Sequence, residues 1–183
     1  MHNGLSPLPV MRDYMHKLED AGAECIVIPC NTAHYWFKEL KDACHIDILS
    51  IIDTTVDEVR VCGKTRIGLL ATDATLYMGL YQKGIESLGF NYITPDADGQ
   101  KNVMKSIYSL KAGNFTHAQK LMEEQAENLF SRGAEILILG CTEIPIILSQ
   151  AVKDQPLRYI DSTASLVRAG IKWYENRMEK INI

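Results

Sequence analysis

One short passage occurs twice in this chain, and that repetition constrains the fold more than any other feature. Residues 21–32 read Ala-Gly-Ala-Glu-Cys-Ile-Val-Ile-Pro-Cys-Asn-Thr, and residues 132–143 read Arg-Gly-Ala-Glu-Ile-Leu-Ile-Leu-Gly-Cys-Thr-Glu. Gly22, Ala23, Glu24 and Cys30 return as Gly133, Ala134, Glu135 and Cys141, each 111 positions later, with apolar residues filling the interval. A fainter echo joins Ile52-Asp53-Thr54-Thr55 to Ile160-Asp161-Ser162-Thr163 at an offset of 108. A repeat on this scale implies two similar structural units.

Each unit reads as short apolar runs alternating with longer helical patterns. Strands are expected at 24–29, 47–52, 65–71, 90–94, 135–139 and 157–160, and helices at 11–21, 33–41, 54–61, 76–88, 100–111, 115–132, 144–152 and 165–179. Alternation of this kind predicts an α/β fold: two similar lobes with mostly parallel sheets flanked by helices, related by a pseudo-two-fold, with a cleft between them. The expected division is a discontinuous first lobe over 1–63 plus 160–183 and a second lobe over 64–159. The second lobe has a strand near 65–71 whose first-lobe equivalent would precede residue 1, so about 50 further N-terminal residues are expected in a complete version. Without that strand a sheet edge is left to be covered.

Composition narrows the function classes. Nineteen Lys and Arg against 23 Asp and Glu give a net charge of −4, with no basic run, which argues against nucleic acid as a partner. No apolar stretch approaches the roughly 18 residues needed to cross a bilayer, and the first residues lack a basic region followed by an apolar one, so no membrane partner and a cytoplasmic location are expected. Five cysteines without CxxC spacing suggest free thiols, not a disulfide framework or a zinc ribbon.

In both repeats a buried strand ends on cysteine and turns into a helix through small polar residues, Cys30-Asn31-Thr32 and Cys141-Thr142-Glu143. Ligands of α/β sheets bind beyond the carboxyl ends of parallel strands, where helix N-termini offer unpaired N–H groups. That position also favours thiolate over thiol, from a reference pKa of about 8.5. Two such thiols facing one another suit a reaction that removes a proton from one face of a carbon and returns one to the other, which is racemisation. Asn31, Thr32 and Thr142 would hold the substrate carboxylate and the charge that develops next to it. Cys25, Cys44 and Cys62 lack this context and read as core residues.

Pro29-Cys30-Asn31-Thr32-Ala33-His34 and Gly140-Cys141-Thr142-Glu143-Ile144-Pro145, with Gly68–Thr75 and Leu110–Gly113, resemble the aspartate/glutamate racemase family, specifically its aspartate racemase branch. The resemblance implies an amino-acid racemase, an isomerase of the L- and D-forms of aspartate with glutamate as a second candidate, commonly homodimeric and working without pyridoxal phosphate or any other cofactor, and without a catalytic metal. By resemblance, Cys30 and Cys141 are the acid/base pair, Asn31, Thr32, Ala33, Thr72, Thr75 and Thr142 surround the substrate, and Lys111 meets its side-chain carboxylate.

Simpler roles stand beside several of these. Lys111 also reads as a solvated lysine at a helix end, Thr75 as the cap of the helix at Leu76, and His34 as a satisfied, half-buried histidine instead of a support for Cys30. Glu143 either orients Cys141 or lies in a first helical turn as the dipole favours, and Asp53 and Asp161 read as N-caps. Alternatives to an aspartate racemase are a related cysteine-pair isomerase or racemase acting on another small acid or a hydantoin, and a catalytically silent truncated member that only binds.

Overall fold

The computed structural model describes residues 6–181, with side chains to Lys180. Helix α1 (Leu8–Asp20) leads into β1 (Cys25–Val27), a 3-10 helix (Thr32–Trp36), α2 (Phe37–Ala43), β2 (Asp47–Leu49) and α3 (Ile51–Val61). Then come β3 (Arg66–Ala71), α4 (Asp73–Tyr77), α5 (Gln82–Ser87), β4 (Asn91–Ile93), α6 (Ala97–Lys111) and α7 (Phe115–Ser131). The chain closes with β5 (Ile136–Gly140), α8 (Ile144–Ile147), α9 (Ser149–Asp154), β6 (Tyr159–Asp161) and α10 (Ser162–Ile181).

Among the described residues two parallel sheets result, one of two strands in the order β1-β2 and one of four in the order β4-β3-β5-β6. The expected α/β fold with helix-flanked parallel sheets is therefore what the chain forms. All of β6 pairs with β5, Leu137 opposite Tyr159 through Leu139 opposite Asp161, so the lobe boundary drawn between residues 159 and 160 runs through a strand of the larger sheet. Among the described residues β1 has one partner strand, β2.

Buried apolar residues occupy both faces of the central strands with a period of two, as a strand covered on both sides requires. Ile67, Leu69, Ile136 and Ile138 point to one core, which also takes Val56 and Val59 of α3, Ile85 of α5 and Leu166 of α10. Leu70, Leu137 and Leu139 point to the other, filled by α6, α7 and α8 through Val103, Ile107, Met122, Leu129 and Ile144. The small sheet has its own core of Met15, Ile26, Leu40 and Ile48. Because α3 follows the small sheet in sequence yet packs on the large one beside α10, the two units share buried surface.

Three local expectations need correction. The single helix expected over 76–88 is two, α4 and α5, separated by a turn in which Gly79 takes φ +66, a conformation that costs glycine little. The cap of α4 is Thr72, whose hydroxyl accepts the Thr75 N–H; Thr75 sits inside the first turn instead of capping it. Likewise Ser50, not Asp53, caps α3 by accepting the Asp53 N–H at 3.0 Å. Asp161 does have the expected role, accepting N–H bonds from Thr163 and Ala164 at the start of α10.

Candidate active site

Cys30 lies three residues beyond β1, after Pro29, and its residue is exposed. Cys141 directly follows β5 and is buried, 8% exposed. Because both strands belong to parallel sheets, each thiol stands at a carboxyl end, where the following turn exposes unpaired helix N–H groups.

Side-chain hydrogen bonds draw the turns from the two sheets into one place. The Asn31 amide donates to Ser162 Oγ at 3.2 Å, and Ser162 donates in turn to the carbonyl of Leu139, two residues before Cys141. The fully buried Tyr81 donates its hydroxyl to Asn31 Oδ1. Asn31 itself is 3% exposed, so its side chain is engaged in joining β1's turn to the large sheet. Thr32 Oγ1 lies 3.0 Å from both Thr72 Oγ1 and Thr75 Oγ1, which are also 3.0 Å apart. Thr75 is fully buried; Thr32 and Thr72 are half-buried and form the outer side of this hydroxyl triangle. Ala33 is the second residue of the 3-10 helix and half-buried.

His34 acts on the main chain of Cys30. Its Nδ1–H donates to the Cys30 carbonyl at 2.8 Å, since a carbonyl can only accept, while the Ile51 N–H donates to Nε2 at 3.0 Å. The ring is thus held as one neutral tautomer, bridging the Cys30 turn and the start of α3. Burial lowers its pKa from 6.5, against the opposing effects of the Cys30 carbonyl and the Asp53 charge.

Around Cys141 the decisive group is Glu143. The thiol donates to Glu143 Oε2 at 2.9 Å, Thr142 Oγ1 donates to the same oxygen at 3.1 Å, and Lys111 Nζ lies 3.0 Å from Oε1. The carboxylate therefore links a thiol to an ammonium ion that comes from the last residue of α6. Burial opposes ionisation of Glu143, but the Cys141 thiol and Lys111 outweigh it and hold the pKa down at about 2. The thiol responds in the opposite sense, pushed up to about 12 by burial first and by Glu143 second. This corrects the expectation that both turns favour thiolate: at Cys141 the proton stays on sulfur. Lys111 is thus the exposed lysine at a helix end that the sequence suggests, with its ammonium group paired to Glu143.

Tyr81 and Ser162, which complete the inter-sheet bonds, went unnoticed in the sequence. Ser162 was within reach, because the echo of Ile52–Thr55 in Ile160–Thr163 includes it. Tyr81 had no signal, lying in what reads as a continuous helix.

Comparison with known proteins places these features in context. Residues 3–170 match the model of the family described as Asp/Glu/Hydantoin racemase. The chain is 31% identical over 159 residues to the broad specificity amino-acid racemase RacX of Bacillus subtilis, covering 86% of this chain and 68% of that one. Among solved structures, an aspartate racemase of Picrophilus torridus superposes with a TM-score of 0.84 at 32% identity, covering 94% of this chain and 71% of that one. An aspartate racemase homologue of Pyrococcus horikoshii gives 0.76 at 28% identity, covering 90% and 73%.

Proposed function

The chain belongs to the Asp/Glu/hydantoin racemase family, and on that basis we propose that it interconverts L- and D-aspartate by moving protons between Cys30 and Cys141. The observation that carries this reading is the linkage of the two cysteine turns through Asn31, Ser162 and Tyr81, which joins thiols from different sheets to one framework.

In this reading the two thiols start in different roles. Cys141, protonated and donating to Glu143, is the acid. The first turnover then requires Cys30, as thiolate, to take the α-proton from the opposite face of the substrate. The electron pair left on the α-carbon is delocalised into the carboxylate, which main-chain N–H groups at the starts of the two following helices and the Thr32 and Thr72 hydroxyls receive. Cys141 then gives its proton to the other face, leaving a thiolate beside Glu143 whose negative charge Lys111 offsets. The products are the opposite enantiomer, protonated Cys30 and ionised Cys141, and the reverse turnover restores the start. The proton inventory balances without a cofactor.

A second reading, racemisation of a wider range of amino acids, is favoured by one feature. Lys111, the residue suited to selecting an acidic side chain, is engaged by Glu143. The broad specificity of the Bacillus relative is consistent with that.

Incubation with L- and D-aspartate in D₂O, followed by NMR and chiral chromatography, tests the proposal, with Cys30→Ala/Cys141→Ala as control. Deuterium incorporation with loss of optical purity, absent from the control, is expected. Exchange that persists in the control would remove the two-thiol mechanism. A panel of glutamate, lysine, arginine and alanine separates the selective from the broad reading.

A further inference from the structure

At the other end of the small sheet, away from Cys30 and Cys141, a cluster that has the Cys44 thiol beside it has the composition of a metal site. His16 and Glu19 lie three residues apart on α1 and so share a face. His45 comes from the loop between α2 and β2. His16 Nδ1 is 3.0 Å and His45 Nδ1 is 3.5 Å from the same oxygen, Glu19 Oε2, and one ligand atom from each residue lies within 4.8 Å of the others.

We propose that His16, Glu19 and His45 bind a first-row transition ion of the zinc class, bracing the end of α1 against the loop that enters β2. The spacing has a direct geometric meaning. For an ion with bonds of about 2.0–2.1 Å in tetrahedral arrangement, neighbouring ligand atoms stand about 3.3 Å apart, and the two observed separations fall on either side of that figure. Two imidazole nitrogens and one carboxylate oxygen suit zinc, cobalt or nickel, whereas calcium and magnesium take all-oxygen sets. The carboxylate is already oriented, because Glu19 Oε1 accepts the main-chain N–H of His45 at 2.6 Å and leaves Oε2 to face the rings. Hydrogen bonds of this kind are what fix a ligand's direction at metal centres.

Glu19 is at the end of α1 that feeds β1, and His45 precedes β2, so the cluster sits at the N-terminal ends of the parallel strands whose C-terminal ends lead to Cys30 and Ser50. Its effect is therefore on the stability of the first unit, whose buried core has four residues, and not on the proton transfers. Three protein ligands leave the fourth position to water, and binding displaces any proton held on either Nδ1.

Cobalt(II) is the informative probe, because thiolate ligation adds an intense charge-transfer absorption that imidazole and carboxylate ligation lack. In the Cys44→Ser protein, which removes the thiol beside Glu19, and with the other thiols kept reduced, one cobalt per chain is expected, without that absorption, together with a melting temperature several degrees higher at saturation. His16→Ala/His45→Ala alters two exposed side chains and is expected to keep its circular dichroism while losing at least tenfold in affinity and the thermal shift. His45→Asn alone, a loop substitution, serves as the second variant with the same expectation. Absence of saturable binding in the natural protein overturns the proposal. So does undiminished binding in both variants, and a sulfur charge-transfer band would assign the ion to cysteines.

Discussion

Asn31 and Ser162, 131 positions apart, form a buried hydrogen bond of 3.2 Å that ties the turn bearing Cys30 to the large sheet. Ser162 passes the connection on to the Leu139 carbonyl, and Tyr81 occupies the other end of the Asn31 amide. A buried polar group deprived of its partner keeps its desolvation cost, about 1–3 kcal/mol. Asn31→Ala is therefore expected to destabilise the protein by about that amount in urea unfolding, and to lower kcat for racemisation more than it raises KM. An unchanged unfolding midpoint would show that this bond does not hold the two sheets together.

Glu143→Gln removes the negative charge beside Cys141 and the partner of Lys111 while keeping an oxygen that can accept from the thiol. The Cys141 pKa is then expected to fall, though burial, its first cause, remains. Two readouts follow: faster alkylation of Cys141 at fixed mildly alkaline pH, measured by mass spectrometry, and a racemisation rate reduced by about 10²-fold, the lower end for loss of tuned acid–base function. Slower alkylation would mean that Glu143 activates the thiol instead of keeping it protonated.

His34 links stability to pH. Its folded pKa lies below its unfolded value near 6.5, so between the two the unfolded chain binds more protons and stability rises with pH. The contribution is complete above about 6.5 and is lost as pH falls below it toward the folded pKa. Unfolding free energies measured from pH 7.5 down to pH 5 should decline in the natural protein, and His34→Gln should flatten that decline. Parallel curves for the two proteins would remove His34 from the account.

Gly140 occupies the position where the first repeat has Pro29. An added Cβ there would stand 3.1 Å from a ring carbon of Tyr81, 3.2 Å from Ala71 Cβ and 3.3 Å from the Leu70 carbonyl oxygen. Since Tyr81 is the residue that bonds Asn31, Gly140→Ala is expected to cost about 1–3 kcal/mol as overpacking, and to lower activity by displacing Tyr81. A stable variant of full activity would show that the ring moves aside freely.

Within the hydroxyl triangle, Thr72→Ala removes the cap of α4, at a cost of about 1 kcal/mol, and a half-buried hydroxyl facing the proposed substrate position. Thr75→Val removes a hydroxyl that is fully buried. The first change is expected to raise KM for aspartate; the second should act on stability, with KM little altered. Equal effects on KM would assign Thr75 to the substrate as well.

The sequence by itself determined the alternation of strands and helices, the repeat, and the two cysteine turns, because each is local: a period of two, a β-branched run, a cap, a spacing. The parallel sheets and the carboxyl-end positions of Cys30 and Cys141 follow from those local rules, as do the cores on either side of Leu69 and Leu70. What no local pattern carries is which groups meet across the fold. The break between α4 and α5 falls at Gly79, a local signal that the reading of one helix passes over, whereas the buried bond from Tyr81 to Asn31, 50 positions away, has no local sign. Lys111 could be read as a helix-end lysine or a substrate contact, but its partner Glu143 is 32 residues on and is reached only when α6 packs against the β5 turn. For Cys141, helix position alone favours thiolate, whereas the assembled environment buries the sulfur beside an anion and keeps it protonated. Only the tertiary structure decided that, because desolvation and charge at a thiol depend on everything packed around it.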